Sequence, residues 1–197
     1  LTLRREKKQE TQETNGFPFF GREAEIKSIL SHIQQTIDNK VTCINIFGPA
    51  GIGKSALINH LLPKLSRSRA FWCRGHEISE KYAYSPWNGF FRDLSSDIKT
   101  EKLGDPLKLH ILKTHFPSFE VEYTLAPNTD FSPLLQQHNP VRFGELLAEI
   151  MRLNSSAQRQ LIILEDLQWF DTSSLEMLQS FLLSNPGNLV LVALYRT

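Results

Sequence analysis

The residues with the clearest chemical potential lie at 48–55, in the stretch Gly-Pro-Ala-Gly-Ile-Gly-Lys-Ser. Glycines at this spacing let the backbone curl so that successive N–H groups point inward towards an oxyanion. The apolar, β-branched run VTCINIF at 41–47 precedes this stretch, and apolar residues at helical spacing follow it over 56–62. A helix that begins here would add its positive N-terminal end. The pattern predicts a phosphate-binding loop between a strand and a helix.

In such a loop each polar side chain has a defined task. The expected ligands are ATP and ADP with Mg²⁺: Lys54 is expected to bridge the β- and γ-phosphates of ATP, and Ser55 to bind Mg²⁺ through its hydroxyl. From average residue usage, a chance match in a chain of this length has odds of about 1%. The residues of this segment predicted to bind nucleotide are Gly48, Pro49, Ala50, Gly51, Ile52, Gly53, Lys54, Ser55 and Ala56.

A second candidate lies in QLIILEDLQWFD, where an apolar run ends in Glu165 and Asp166. A phosphate loop needs an acidic partner at the end of another strand to hold the metal and orient water. If the apolar run is a strand beside the loop strand, both carboxylates face the Mg²⁺ and the γ-phosphate. The alternative is a strand that ends in solvated acids.

The elements that must position these residues alternate along the chain, as is typical of an α/β layered fold. Apolar periodicity predicts strands at 41–47, 70–74, 161–164 and 189–193. It predicts helices over about 26–37, 56–62, 86–94, 107–112 and 141–153, with a proline-rich loop at 116–140. The helix after residue 170 is expected to have Asp171 or Ser173 as its N-cap and to bury Leu175, Leu178 and Leu182.

Composition gives the chain no strong preference for a charged partner. It has 197 residues with 41% hydrophobic and 22% charged residues, and a formal net charge of +1. This near-neutral charge argues against a nucleic-acid partner, and no apolar run reaches the ~18 residues of a membrane span. The local basic cluster of Lys64, Arg67, Arg69 and Arg74 fits a solvated face better than a nucleic-acid site. The aromatic residues Trp72, Trp87, Phe90 and Phe91 fit a core better than a stacking platform.

The two cysteines, Cys43 and Cys73, each fall inside a predicted strand. A disulfide between them is conceivable, but buried free thiols in a reducing cytoplasm fit the pattern better. The spacing Cys73-x-x-His76 lacks a second ligand pair and does not predict zinc.

With these motifs in view, the chain resembles the STAND-type signalling ATPases of the AAA+ kind, found in bacterial regulators and in cyclase- or kinase-linked proteins. The opening FGREAE at 20–25 is similar to the FxGRExE segment of that family, and GPAGIGKS is similar to its Walker A loop. LEDLQWFDTSSLEML resembles its Walker B block, and LVALYRT resembles its fourth strand. A weaker similarity is Gly-His-Glu at 75–77, followed by Tyr-Ser-Pro at 84–86.

The resemblance implies a P-loop NTPase of the ASCE/AAA+ type, with a parallel sheet flanked by helices and a strand order of 1-4-3-2. The domain would span 17–197, with a helical insertion at about 80–158 and without the C-terminal lid of the family. The loop strand would then form a sheet edge that a fifth strand normally covers. Residues 1–16 are interpreted as a charged linker that is either a solvated tail or a helix.

The resemblance also assigns roles in the site. Glu165 would bind Mg²⁺ with Ser55, and Asp166 would polarise the attacking water. Arg196, as a sensor arginine, would contact the γ-phosphate, unless it is a surface residue at a strand end. Phe20 and Arg22 would line the adenine, unless they form a packing cluster at the start of the first helix.

The implied function is a slowly hydrolysing switch whose ADP or ATP state controls self-association or an attached output domain. A homo-oligomer in the ATP state and fused or associated regulatory domains would be the partners. A DNA-associated initiator ATPase of the origin-recognition kind is an alternative, although it predicts a basic face and an Asp-Glu pair. A nucleotide-holding module without turnover is a further alternative, and a small-molecule P-loop kinase fits less well.

Overall fold

A computed structural model describes residues 21–34, 40–65, 68–78, 81–97, 105–124, 139–154 and 159–196. The helices are α1 (Glu23–Gln34), α2 (Lys54–Leu61), α3 (Asn88–Asp97), α4 (Pro106–His115), α5 (Pro140–Asn154) and α6 (Thr172–Leu183). The strands are β1 (Val41–Phe47), β2 (Ser68–Arg74), β3 (Arg159–Glu165) and β4 (Leu189–Tyr195). Short 3-10 turns lie at Leu62–Lys64, Ser85–Trp87 and Leu167–Trp169. No described helix is long and apolar enough to cross a membrane.

The described strands form one parallel sheet in the order β1-β4-β3-β2, which confirms the predicted strand order. Because the strands are parallel, their carboxyl ends meet at one edge of the sheet. The phosphate loop follows β1, the acidic pair spans the end of β3, and Arg196 follows β4. The topology therefore gathers the three predicted parts of the site at the same edge.

Helices cover the two faces of the sheet with separate apolar cores. On one face, α1 and α2 pack over residues such as Ile163 and Val192. On the other face, α3, α4, α5 and α6 pack over Leu164 and Leu191. The aromatic residues Trp87, Phe90 and Phe91 lie in this second core, as predicted.

The edge strand β1 is more exposed than its sequence suggests. An apolar, β-branched run such as VTCINIF predicts a strand that is buried on both faces of a parallel sheet. In the structure, Cys43, Asn45 and Phe47 alternate along the strand and are exposed. Strand β4 separates β1 from β3, so β1 has one neighbouring strand in the described fold. The prediction of a fully buried loop strand is therefore wrong, whereas the prediction of an edge position is confirmed.

The start of α6 distinguishes between two predicted N-caps. Asp171 is the N-cap, and its carboxylate accepts a hydrogen bond from the Ser174 backbone N–H at 2.9 Å. The same side chain also accepts a bond from the Tyr84 backbone N–H at 3.1 Å, so it joins the helix to the segment before α3. Leu178 is buried, but Leu175 is 42% exposed, which corrects the predicted apolar stripe. The buried face of α6 instead carries Met177 and Phe181.

The two cysteines are both free, but only Cys73 is buried. Burial raises the pKa of the Cys73 thiol well above its ordinary value, and the nearby Asp93 carboxylate raises it further. A thiol in this environment is poorly reactive. Cys43 is exposed because it lies on the uncovered face of β1, so the expectation that both thiols are buried is wrong for this residue.

The contact between α5 and α6 depends on a glycine. A Cβ atom on Gly144 would lie 2.4 Å from the Met177 carbonyl oxygen and 2.7 Å from the Phe181 amide nitrogen. We expect Gly144→Ala to lower the free energy of unfolding by about 1–3 kcal/mol, because the two helices must separate to admit a methyl group. Chemical denaturation monitored by circular dichroism measures this change.

Glu145→Ala is the matched control, because Glu145 is the next residue of α5 and is exposed. In an open helix position, glycine to alanine stabilises by about 0.5–1 kcal/mol. An unchanged or increased stability of Gly144→Ala would therefore contradict the close packing of α5 on α6.

Candidate functional site

The phosphate loop follows β1 and leads directly into α2. Gly51 and Gly53 have φ angles of 76° and 91°, in the left-handed region that side chains disfavour. Gly53 is also the N-cap of α2, and no side chain caps this end of the helix. The first N–H groups of α2 therefore lack a side-chain acceptor and are oriented towards the loop.

The Lys54 side chain folds back over the loop. Its ammonium group donates hydrogen bonds to the carbonyl oxygens of Gly48 at 2.9 Å and Pro49 at 3.0 Å. Both acceptors belong to the loop itself, so the charge is held beside the backbone that would surround a phosphate. The loop thus presents one side-chain cation together with the N-terminal end of α2.

Ser55 and Glu165 are in direct contact, although they lie on different elements. The Ser55 hydroxyl donates a hydrogen bond to Glu165 Oε1. Ser55 lies in the first turn of α2, and Glu165 is the last residue of β3. Glu165 shares a sheet face with Ile163 because strand side chains alternate, and α2 packs on that face. The fold therefore joins the two residues that were predicted to bind Mg²⁺.

Asp166 lies next to Glu165 but has different partners. Its backbone is left-handed, with φ 53°, and begins the 3-10 turn Leu167–Trp169. Asp166 Oδ1 is 3.0 Å from Gln168 Nε2 and 3.3 Å from Arg196 Nε. The Arg196 backbone N–H also donates to Gln168 Oε1 at 3.3 Å. Arg196 thus pairs directly with the carboxylate that was predicted to act on water.

The N-terminal residues predicted to line the adenine are described in part. The Arg22 guanidinium donates a hydrogen bond to the Ile52 carbonyl oxygen at 2.7 Å, so the start of α1 is held against the phosphate loop. Phe20 lies outside the described residues. The contact brings Arg22 to the loop and leaves its role towards the base a prediction.

Sequence reasoning missed one residue of this site, Arg74. Its Nε is 3.0 Å from Glu165 Oε2, and its guanidinium lies over the Trp72 ring at 5.0 Å from the centroid. The basic residues around β2 were interpreted as a solvated face, and the Arg74 side chain is indeed 57% exposed. The signal that could have identified it is its position, because Arg74 ends β2 in register with Glu165 at the end of β3.

A comparison with protein families identifies the family to which the chain belongs. The model of the AAA ATPase domain matches residues 18–192. The chain belongs to this family. No curated protein sequence matches the chain. Membership indicates nucleotide binding and hydrolysis in general, and the matched range contains the phosphate loop and the acidic pair of the AAA ATPase domain.

The side chains present fit a magnesium nucleotide in this AAA ATPase domain. A serine hydroxyl and a carboxylate are hard oxygen donors of the kind that Mg²⁺ takes together with phosphate oxygens. The Lys54 ammonium and the uncapped end of α2 suit the phosphates themselves. Within the described ranges, no group of three His, Cys, Asp or Glu side chains could hold a metal ion without such a ligand.

Proposed function

We propose that this AAA ATPase domain is a STAND-type nucleotide switch in a regulatory protein. It binds ATP and ADP with Mg²⁺ and hydrolyses ATP slowly. The nucleotide state controls self-association, an attached output domain, or both. The direct contact between Ser55 and Glu165 carries the proposal, because it joins the phosphate loop to the acidic end of β3.

The contact has a direct chemical meaning for metal binding. Because the Ser55 hydroxyl gives its hydrogen to Glu165, the lone pairs of its oxygen stay available to a cation. Bound Mg²⁺ would offset the negative charge of the β- and γ-phosphates and of the developing transition state. Lys54 would exchange the carbonyls of Gly48 and Pro49 for phosphate oxygens when ATP enters.

Hydrolysis is assigned to Asp166, which would polarise a water molecule beside the γ-phosphate. Its carboxylate is 31% exposed, and Oδ1 is shared between Gln168 and Arg196, so the two contacts restrain the orientation in which it can approach a water molecule. An aspartate also reaches less far than a glutamate. Both features support slow turnover, which suits a switch better than a motor.

The switching device is the group formed by Asp166, Gln168 and Arg196. A γ-phosphate would compete with Asp166 for the Arg196 guanidinium, because both are anions and the pair is 3.3 Å apart at Nε. Binding of ATP, but not of ADP, would then change the end of β4 and the turn after β3. Such a change requires differential affinity for two states, and the γ-phosphate supplies it.

The STAND assignment is supported by the segment after the acidic pair. The Walker B block that this segment resembles has an acidic pair, then Gln or His, then Trp and a later Asp. Gln168 stands in the Gln or His position and donates to Asp166. Asp171, in the position of the later Asp, caps α6 and holds the Tyr84 backbone. These contacts link the acidic pair to the segment that precedes α3.

Titration calorimetry with ATP and ADP, each with Mg²⁺, tests the proposal. We expect both nucleotides to bind and ADP to bind more tightly than ATP, because ATP must disrupt the Arg196–Asp166 pair. A shift of tenfold in affinity corresponds to about 1.4 kcal/mol. Arg196→Ala is expected to bring the two affinities together.

Two results of the calorimetry would contradict the proposed nucleotide switch. A folded wild-type chain that binds neither nucleotide would remove the nucleotide function altogether. Tighter binding of ATP than of ADP, unchanged in Arg196→Ala, would leave an ATP-binding domain but remove the resting switch.

A nucleotide-holding module without turnover is the second candidate function. It is favoured by the same two contacts of Asp166, with Gln168 and Arg196, because a carboxylate that keeps both contacts throughout would be held away from the water molecule. Nucleotide binding would then be intact and phosphate release undetectable. Measurement of inorganic phosphate under single-turnover conditions separates the two functions.

A further inference from the structure

The two oxygens of the Glu165 carboxylate have different partners, Ser55 and Arg74. Glu165 Oε1 accepts the hydrogen bond from Ser55, and Oε2 lies 3.0 Å from Arg74 Nε. The Glu165 side chain is 20% exposed, so its carboxylate is largely enclosed between these groups. Arg74 therefore helps to determine which oxygen of Glu165 faces the phosphate loop.

The position of Arg74 is itself fixed by the fold. Arg74 and Glu165 are partners in the parallel register of β2 and β3, so their side chains leave the same face of the sheet. The Gly75 backbone N–H donates to the Glu165 carbonyl at 2.9 Å and extends the pairing one residue past the strand. The guanidinium also lies over the Trp72 ring, two residues earlier on the same face. Register, backbone pairing and stacking thus hold one end of the ion pair in place.

We propose that Arg74 is a positioning residue for Mg²⁺ binding: it orients the Glu165 carboxylate so that Oε1 meets Ser55 beside the phosphate loop. This inference rests on the proposed nucleotide function. Arg74 acts through Glu165, and the planar guanidinium is required because it stacks on Trp72 while its Nε faces the carboxylate. Groups that orient metal-binding side chains in this way typically change metal affinity 10- to 100-fold when removed.

The inference separates metal binding from phosphate binding. Lys54 and the N-terminal end of α2 hold the phosphates, and neither depends on a described contact with Arg74. Loss of Arg74 should therefore weaken the part of nucleotide affinity that requires Mg²⁺ and leave the metal-free part intact. A purely structural ion pair would instead affect both parts together through the folded state.

The experiment compares ATP affinity in EDTA with ATP affinity over a series of free Mg²⁺ concentrations, by titration calorimetry on the whole chain. For Arg74→Ala we expect metal-free affinity within about twofold of wild type and an approximately 10-fold higher Mg²⁺ concentration at half-effect. The melting temperature without Mg²⁺ should change by no more than about 2 °C, because the Arg74 side chain is 57% exposed and its ion pair is screened by solvent. Arg92→Ala is the matched control, since Arg92 is an exposed arginine of α3 that pairs with Asp93.

A second variant, Arg74→Lys, separates orientation from charge. The lysine keeps the positive charge but has no planar guanidinium. We therefore expect it to recover less than half of the loss in Mg²⁺ affinity, measured as the logarithm of the Mg²⁺ concentration at half-effect. Complete recovery by lysine would overturn the claim that the guanidinium orients the carboxylate.

The remaining outcomes also decide the matter. If Arg74→Ala reaches half-effect at the same Mg²⁺ concentration as the wild type, or at a lower one, the positioning role is overturned. ATP binding by the wild type would in that case still uphold the nucleotide function. A parallel loss of metal-free affinity would mean that Arg74 is structural. A wild type that binds ATP in neither condition would overturn the proposed function, and this inference with it.

Discussion

Lys54→Ala is expected to weaken ATP binding by about 100-fold or more, the largest binding effect of any single substitution in this chain. Charge-assisted hydrogen bonds to phosphate are among the strongest in proteins, and 100-fold corresponds to about 3 kcal/mol. The Lys54 ammonium already faces the loop through the carbonyls of Gly48 and Pro49. Alanine removes both the phosphate ligand and these loop contacts, whereas α2 keeps its backbone. Titration calorimetry with MgATP measures the loss.

Lys64→Ala is the matched control, because Lys64 is an exposed lysine of the 3-10 turn after α2 and contacts His60. It should bind MgATP within about twofold of wild type, since it lies at the opposite end of α2 from the loop. A Lys54→Ala variant that folds normally and keeps its affinity within threefold would contradict the phosphate-binding loop. Circular dichroism and the melting temperature establish that the variant is folded.

The parts of the site that could be predicted from the sequence depend on residues that lie close together along the chain. The phosphate loop depends on the spacing of glycines and of Lys54 and Ser55 within a single turn, so the motif contains the geometry. The acidic pair after β3 could be predicted because an apolar run ends there abruptly. The strand order came from the family resemblance, and the sheet confirms it.

The parts that could not be predicted depend on contacts between distant segments. Arg74 joins the site only because β2 and β3 pair in one particular register, which hydrophobicity patterns do not encode. The exposure of Cys43 follows from the uncovered face of an edge strand, which an apolar run cannot reveal. Leu175 fits a helical stripe by spacing, yet α6 is rotated so that Met177 and Phe181 face α5 and the sheet.

These two classes of residue have different consequences for function. The local motif supplies phosphate binding, which many P-loop proteins share. The contacts between segments, Arg74 with Glu165 and Arg196 with Asp166, connect the ends of β2, β3 and β4 at the edge of the sheet that carries this motif. The proposed dependence on Mg²⁺ and the proposed discrimination between ATP and ADP therefore arise from contacts between distant segments. They are tested by differences in affinity, between ATP and ADP and between ATP with and without Mg²⁺.

Asp166→Asn is expected to reduce the rate of ATP hydrolysis by about 100-fold, because a positioned general base typically contributes 10²–10⁴ to the rate. Asparagine has nearly the same shape, and its Oδ1 can still accept hydrogen bonds from Gln168 and Arg196. Because the neutral amide holds Arg196 less strongly than the carboxylate does, affinity for MgATP should equal or exceed that of the wild type. Phosphate release under single-turnover conditions measures the rate, and calorimetry on the same variant measures the affinity.

Asp93→Asn provides the matched control, since it makes the same chemical change on α3, where Asp93 pairs with Arg92. Its hydrolysis rate should equal that of the wild type. If Asp166→Asn hydrolyses ATP within threefold of wild type, Asp166 is not the base, and its contacts with Gln168 and Arg196 have a structural role. If binding and hydrolysis fall together, the carboxylate acts through Arg196 on the bound γ-phosphate, because only a group engaged before the chemical step changes both quantities.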